Sequence, residues 1–306
     1  MVVLVTGANG QLGQAIRSVA GKYPSIDFVF CNSSELDITD PENCKTVFAE
    51  KKPDFCINTA AYTAVDKAES EPEKAFDSNA NGAQNLADAC KEHNTVLIHV
   101  STDFVFDAYY ADGTAFYDRE LRLPLKSKLG LQESDVPFPS GMYGLTKLQG
   151  EQAIQATWKK HIIVRTSWVY SEFGNNFMKT MLRLASERDS LSVVNDQIGT
   201  PTYAVDLAKV LIEIILSPIT RNSVPDIYGI YNFSNEGQCS WYEFAKEIFR
   251  QKNSTIDLKP IPTAAYPTPA KRPVYSVLDK SKIKTTFGIT IKDWKESLTN
   301  CLQNYS

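Results

Sequence analysis

Three features of the sequence predict an α/β fold, a Rossmann-type doubly wound parallel sheet with a smaller C-terminal substrate lobe. Short apolar runs rich in β-branched and aromatic residues recur at 2–5, 28–30, 55–57, 96–100 and 162–164, separated by helix-like stretches. A glycine trio follows the first run directly, and beyond Tyr170 the alternation loosens. Continuous apolar runs suit strands covered on both faces, and alternating them with helices makes each connection a crossover. With 306 residues and 43% apolar composition, the chain has material for a large core.

The first run leads into Gly7, Gly10 and Gly13, spaced three apart, and then into an apolar helical pattern through Ala15, Ile16 and Val19. Such a turn lets the backbone approach a pyrophosphate, packs the helix on the sheet and aims the helix N-terminal N–H groups at phosphate oxygens. A phosphate loop of the Walker type is excluded, because no Gly-Lys-Ser/Thr follows. Residues 1–170 therefore read as an NAD(P)-binding domain. The second run ends in Cys31, Asn32, Ser33 and Ser34, with no acid at the strand tip to repel a 2'-phosphate and no arginine beside it to attract one. NADPH and NADH are both expected as cofactors, with a slight lean to NADPH.

After the second run, Thr39 or Asp40 is placed to cap a helix, Pro41 suits its first turn, and Val47 and Phe48 give it an inward face. A further helix fits 72–92. The stretch 108–140 has no sustained period and reads as a long excursion between a strand and the next helix, with Tyr109, Tyr110, Phe116 and Tyr117 clustered in it. Helical patterns at 177–185, 206–216 and 241–250, and five prolines within 260–273, mark residues 171–306 as mainly a substrate-binding lobe. Some of its segments are expected to return to the first domain.

A formal net charge of -4 removes the broad positive field that nucleic acid or an anionic membrane would need. Six cysteines lie scattered without a Cys-x-x-Cys pair, which points to reduced thiols and no metal cage. No basic leader precedes the first strand and no run of about 18 apolar residues occurs. A cytoplasmic protein is expected, with small-molecule partners and a homodimer as the candidate assembly.

Tyr143 and Lys147 stand four residues apart, on one face of a predicted helix, and Thr102 closes a strand. A phenol relays protons poorly at neutral pH, and a neighbouring ammonium together with the positively charged nicotinamide ring of an oxidised cofactor should bring it toward the working range. Tyr143 then reads as a proton donor, Lys147 as its partner and a cofactor-binding group, and Thr102 as the hydroxyl that orients a carbonyl. Three histidines, His93, His99 and His161, fit no metal motif and read as structural. Trp168 follows an apolar strand and offers a ring for stacking or for the core.

These residues resemble the dTDP-4-dehydrorhamnose reductase family of extended short-chain dehydrogenases over nearly the whole chain. The segments that carry the resemblance are 5–13, 58–69, 101–106, 143–147, 165–170, 174–177, 195–197 and 265–273; the run Ala64 to Glu69 and the Tyr266-Pro267-Thr268-Pro269 segment are the most specific. The resemblance implies reduction of the C4 keto group of dTDP-4-dehydro-L-rhamnose, with Thr102, Tyr143 and Lys147 as the catalytic trio. It also implies that Gly10, Gln11, Leu12, Asp37, Ile38, Ala61, Tyr62 and Thr63 line the cofactor, and that Thr102, Asp103 and Trp168 meet the substrate. Asn176 and Arg272 are added as substrate candidates, since a nucleoside diphosphate calls for amide and guanidinium donors.

Two departures narrow the carry-over. The segment between Thr102 and Tyr143 is longer than the family pattern, which keeps another nucleotide-linked 4-keto-6-deoxy sugar in view as substrate. Ala15 stands where some members carry a glutamate that helps bind Mg²⁺, so no metal site is carried over. A non-catalytic reading also exists, because the regulatory subunit of methionine adenosyltransferase resembles the same family.

Overall fold

The computed structural model describes residues 1–106, 130–222 and 227–305, with the backbone of 117–118 and 123–124. Tyr109, Tyr110 and Phe116 lie outside the described residues. Six strands form one parallel sheet: β1 (Val2–Thr6), β2 (Asp27–Phe30), β3 (Phe55–Asn58), β4 (Val96–Thr102), β5 (His161–Thr166) and β6 (Gly229–Asn232). Their order across the sheet is β2-β1-β3-β4-β5-β6, so the chain reverses direction across the sheet at β1. Outside the carboxyl ends of β1 and β3 this reversal opens the crevice in which doubly wound folds bind ligands.

Alternate side chains of each strand feed two cores. Val3, Val5, Ile57, Ile98, Ile162 and Val164 face a layer that includes α1 (Gln11–Ala20) and α6 (Ala204–Leu216). Leu4, Cys56, Leu97 and Ile163 face the opposite layer of α2 (Pro41–Lys51), α3 (Gly82–Glu92) and α4 (Met142–Thr157). Each fully buried aliphatic side chain contributes about 1.5–3 kcal/mol, so apolar residues on both faces are what keep these strands central.

Asp40 caps α2, accepting from the Glu42 and Asn43 N–H groups, with Pro41 in the first turn. The helix expected over 72–92 is broken into Pro72–Phe76, a π-helical turn at Asp77–Asn81, and α3. The turn has a cause: Asn79 accepts from the Tyr62 N–H at 2.9 Å and donates to the Tyr62 carbonyl at 3.1 Å, pinning the loop after β3.

Downstream of β5 come α5 (Phe177–Glu187), α7 (Trp241–Gln251) and α8 (Trp294–Asn304), with a parallel pair of strands, Ser190–Val194 and Asp257–Ile261. From the same half of the chain, β6 and α6 join the sheet and its covering layer. All six cysteines are free and buried. Among the described residues no helix is long and apolar enough to cross a membrane.

Candidate active site

A cleft of about 780 Å³ opens at the carboxyl ends of the strands, running from the glycine turn and Asn32 to Thr102, Tyr143 and Lys147. Another hollow, of about 850 Å³, lies at the opposite end of the strands around Met1, Phe55 and Val96, and holds none of the predicted site residues. Gly7 has φ +62, and a Cβ there would stand 2.7 Å from the Ala60 nitrogen; a Cβ on Gly13 would stand 2.5 Å from the Gly7 carbonyl oxygen. Larger residues would force α1 off the sheet. Gly10 occupies the N-cap without a side-chain cap, which leaves N–H donors at the start of α1, beside the cleft that Gly10, Gln11 and Leu12 line. Open donors at a helix N-terminus, in a cradle with no room for a side chain, fit a pyrophosphate.

Thr102 ends β4, and the Asp103–Val105 turn passes directly beneath the first turn of α4. Contact is so close that a Cβ on Gly144 would overlap the Phe104 carbonyl oxygen, while the Tyr143 ring meets Phe104 edge-on at 5.4 Å. Thr102 donates to Asp103 Oδ1 at 3.1 Å, and the buried Asp103 Oδ2 has no partner within hydrogen-bond distance among the described residues. Burial pushes the Asp103 carboxyl up to about 6, against the lowering effect of the Ser276 and Thr102 hydroxyls. Lys147 donates to the Val100 carbonyl at 2.8 Å and sits 3.1 Å from His99 Nε2. Burial draws its amine down to about 8, with Glu151 opposing.

At Tyr143 the surroundings supplied by the chain itself act against ionisation. Enclosure of the phenol pushes it up to about 12, with Thr102 opposing and Asp103 adding to the rise. Desolvation outweighs any cation here, and the phenol stays protonated at neutral pH, the form a donor must have.

The family model described as the RmlD substrate binding domain matches residues 1–306. A dTDP-4-dehydrorhamnose reductase of Aggregatibacter actinomycetemcomitans is 42% identical over 304 residues, covering 97% of each chain. That of Escherichia coli K12 is 36% identical over 310 residues, covering 99% of this chain and 97% of the relative. A crystal structure of dTDP-4-dehydrorhamnose reductase from Bacillus anthracis in complex with NADP superposes with a TM-score of 0.87 at 36% identity, covering 99% of each chain. The chain belongs to the dTDP-4-dehydrorhamnose reductase family.

In this family member the remaining predicted positions divide. Ala61, Thr63, Asp103 and Trp168 line the cleft. Tyr62 directs its hydroxyl to Glu71 at 2.8 Å. Asp37 accepts from Thr39, and Ile38 is buried against Gly82, so neither side chain is among those lining the cleft. One face of Trp168 is already covered by Trp241, stacked at 3.6 Å and 11°, and its backbone is held at φ +47.

Asn176 and Arg272 have different occupations from those predicted. Asn176 caps α5, and its amide donates to Gln11 Oε1 and to the Ser171 carbonyl, both at 2.7 Å. Arg272 grips both carboxylate oxygens of Asp66 at 3.1 and 2.8 Å and also donates to Thr268 and Ala270. The ion pair holds the Asp66 carboxyl below its usual range and ties together the two most specific family segments. The Asn176 amide and part of the Arg272 guanidinium are thus engaged within the fold.

Several groups at the site escaped the sequence reading. Glu151, eight residues past Tyr143, is fully buried and pairs with Arg165 while accepting from Ser101 at 2.6 Å. A carboxylate two turns along the face of Tyr143 and Lys147 was the available signal. Gly174 and Asn175 reach the cleft from beyond β5, and Glu35 accepts from the Asn32 N–H at the cofactor end.

Proposed function

We propose that this chain reduces the C4 keto group of dTDP-4-dehydro-L-rhamnose to give dTDP-L-rhamnose, using NADPH or NADH. One observation carries the reading beyond family membership: Thr102, Tyr143 and Lys147, from two elements 40 residues apart in the chain, line one cleft whose other end is an uncapped glycine turn. The nicotinamide supplies the hydride. Gly10, Gln11 and Leu12 offer backbone donors to the pyrophosphate, and Asn32 and Ser33 meet the adenosine ribose. Tyr143 gives its proton to the ketone oxygen as that oxygen becomes an alkoxide. Thr102 orients the same oxygen by a hydrogen bond, and Lys147 holds the phenol's surroundings and the nearer ribose. Asp103, which lines the cleft, accepts from a sugar hydroxyl. Residues 171–306 act as the substrate lobe, reaching the cleft through Gly174 and Asn175.

The test follows NADPH absorbance with the purified protein and dTDP-4-dehydro-L-rhamnose. Turnover is expected, and Tyr143→Phe should lower kcat by about 10²-fold or more while NADPH affinity stays within about twofold. Absence of turnover with this substrate, alongside normal NADPH binding, would overturn the substrate assignment and favour the non-catalytic reading.

A further inference from the structure

Among the described residues, the non-glycine positions with positive φ are Lys52, Asn94, Asn253 and Trp168. The first three follow helices, where a left-handed residue is ordinary. Trp168 instead joins two strands, β5 and Val169–Tyr170. A bulky residue in that conformation is strained, and such strain persists only where the surrounding contacts over-determine it.

Those contacts hold both the backbone and the ring. The Ser167 hydroxyl donates to the Thr200 carbonyl at 2.7 Å, and the Thr202 N–H donates to the Trp168 carbonyl at 3.1 Å. On the ring, Trp241 stacks at 3.6 Å and 11°, and a Cβ on Gly199 would stand 2.6 Å from the indole Cε2 and 2.7 Å from Cζ2. Both neighbours belong to one short ladder. Ile198–Gly199 pairs antiparallel with Cys239–Ser240, so the pairing that seats Gly199 also places the start of α7. Ser240 closes a capping box with Glu243 and donates to Asn195 at 2.7 Å. Trp241 follows that cap directly, and Phe177 from α5 packs against it at 4.6 Å.

Trp168 lines the cleft, whereas neither Trp241 nor Gly199 is among the described residues that do. An indole left free to turn about χ1 and χ2 would lose that freedom when a ligand settles on it, and the loss would weaken binding. We propose that Trp241 is a positioning residue: it holds the indole of Trp168, seated against Gly199, as a preformed wall of the cleft, and so sets the affinity for the sugar nucleotide without touching it. Stacking over a whole indole face supplies the hold, and the missing side chain at 199 leaves the ring room to reach the stack. The inference rests on the proposed reduction only for the identity of the ligand.

Its first test uses the cofactor-free protein and no ligand. The ¹H–¹⁵N heteronuclear NOE of the Trp168 indole N–H, assigned by the signal lost in Trp168→Phe, should be that of a rigid group in the parent. It should stay so in Trp241→Phe, which keeps a flat ring, and fall in Trp241→Leu, which keeps apolar volume without one. A Trp168 indole as rigid in Trp241→Leu as in the parent overturns the inference, whatever the protein reduces. The second test is calorimetric titration with dTDP-L-rhamnose in the presence of NADPH. Trp241→Leu should weaken binding about tenfold and Trp241→Phe less than about threefold, with NADPH affinity within about twofold in both. Gly199→Ala leaves Trp241 in place and displaces the ring from its other contact; it should give the same loss, and it serves if Trp241→Leu does not fold. A loosened indole with unaltered affinity for dTDP-L-rhamnose would show Trp241 to be structural only. A parent that binds NADPH but no dTDP-L-rhamnose would sink the substrate reading, and the NOE would still decide whether Trp241 holds the wall.

Discussion

At Asp103 burial and function pull in opposite directions, and the pH dependence of stability shows which one the fold tolerates. Its carboxyl is raised from 3.8 to about 6, so between those values the folded chain holds a proton that the unfolded chain has released. Stability contributed by the protonated form is present below about pH 4 and falls as pH rises through about 6. Asp103→Asn removes the buried charge, and urea unfolding should find the variant more stable than the parent near neutral pH by on the order of 2 to 3 kcal/mol, with the difference vanishing near pH 4. A variant no more stable at neutral pH would mean that the cleft already solvates the carboxylate. At the other end of the cleft, Glu35 accepts from Asn32 while the Arg17 guanidinium lies 4.2 Å above the Phe30 ring. A 2'-phosphate brought to Asn32 and Ser33 meets an acid that the bare strand tip did not reveal. Glu35→Gln should raise kcat/KM for NADPH relative to NADH by about fivefold, the factor that roughly 1 kcal/mol of exposed repulsion represents. An unchanged ratio would place the discrimination elsewhere.

Helix α4 carries the proton donor, and two glycines set its distance from its supports. A Cβ on Gly144 would overlap the Phe104 carbonyl, and one on Gly150 would overlap the Asn79 carbonyl in the π-helical turn. In each case the obstacle is backbone, which cannot swing aside as a side-chain end can. Gly144→Ala and Gly150→Ala should each lower stability by about 1–3 kcal/mol. Only the first lies beside Tyr143, so it should also cut kcat by about 10²-fold, the scale expected when a catalytic group is displaced by an ångström. Equal kcat losses in the two variants would show that the helix moves as a rigid rod. The buried Glu151–Arg165 pair fastens α4 to β5 from below, and the Phe106 ring lies 5.0 Å from the guanidinium.

Across the whole molecule one apolar cluster runs from Val3 in the first strand to Leu302 in the last helix. Trp294 is buried and meets Phe244 edge-on at 5.7 Å, while Leu298 and Cys301 are fully enclosed. Ser297 and Asn235 both bond to Asp206, which joins α8 to the helix covering the sheet. The lobe is therefore not an appendage that can melt separately. Scanning calorimetry should show a single transition, and a chain ending at Asp293 should lose that transition and its NADPH binding together, although every cleft residue remains. A truncated chain that still unfolds cooperatively and binds NADPH would show two independent cores.

The sheet's central strands, the glycine turn and the Tyr143–Lys147 spacing were legible because each is local: apolar runs, a turn needing residues without side chains, and two positions one helical turn apart. Asp40 as a cap and the burial of Val47 and Phe48 belong to the same class. What only the tertiary structure decided concerns partners distant in sequence. Asn176 and Arg272 have the chemistry of ligand donors, and only the folded chain sets them against Gln11 and Asp66. His99 reads as an ordinary strand histidine in the sequence, and only the folded chain sets it between Asn58 and Lys147. The tuning of Tyr143 depends on enclosure, and enclosure is a property of every layer packed around the cleft. Sequence specifies which groups are present and which face of an element they share; hydrogen-bond direction and desolvation arise only when several elements close on one point.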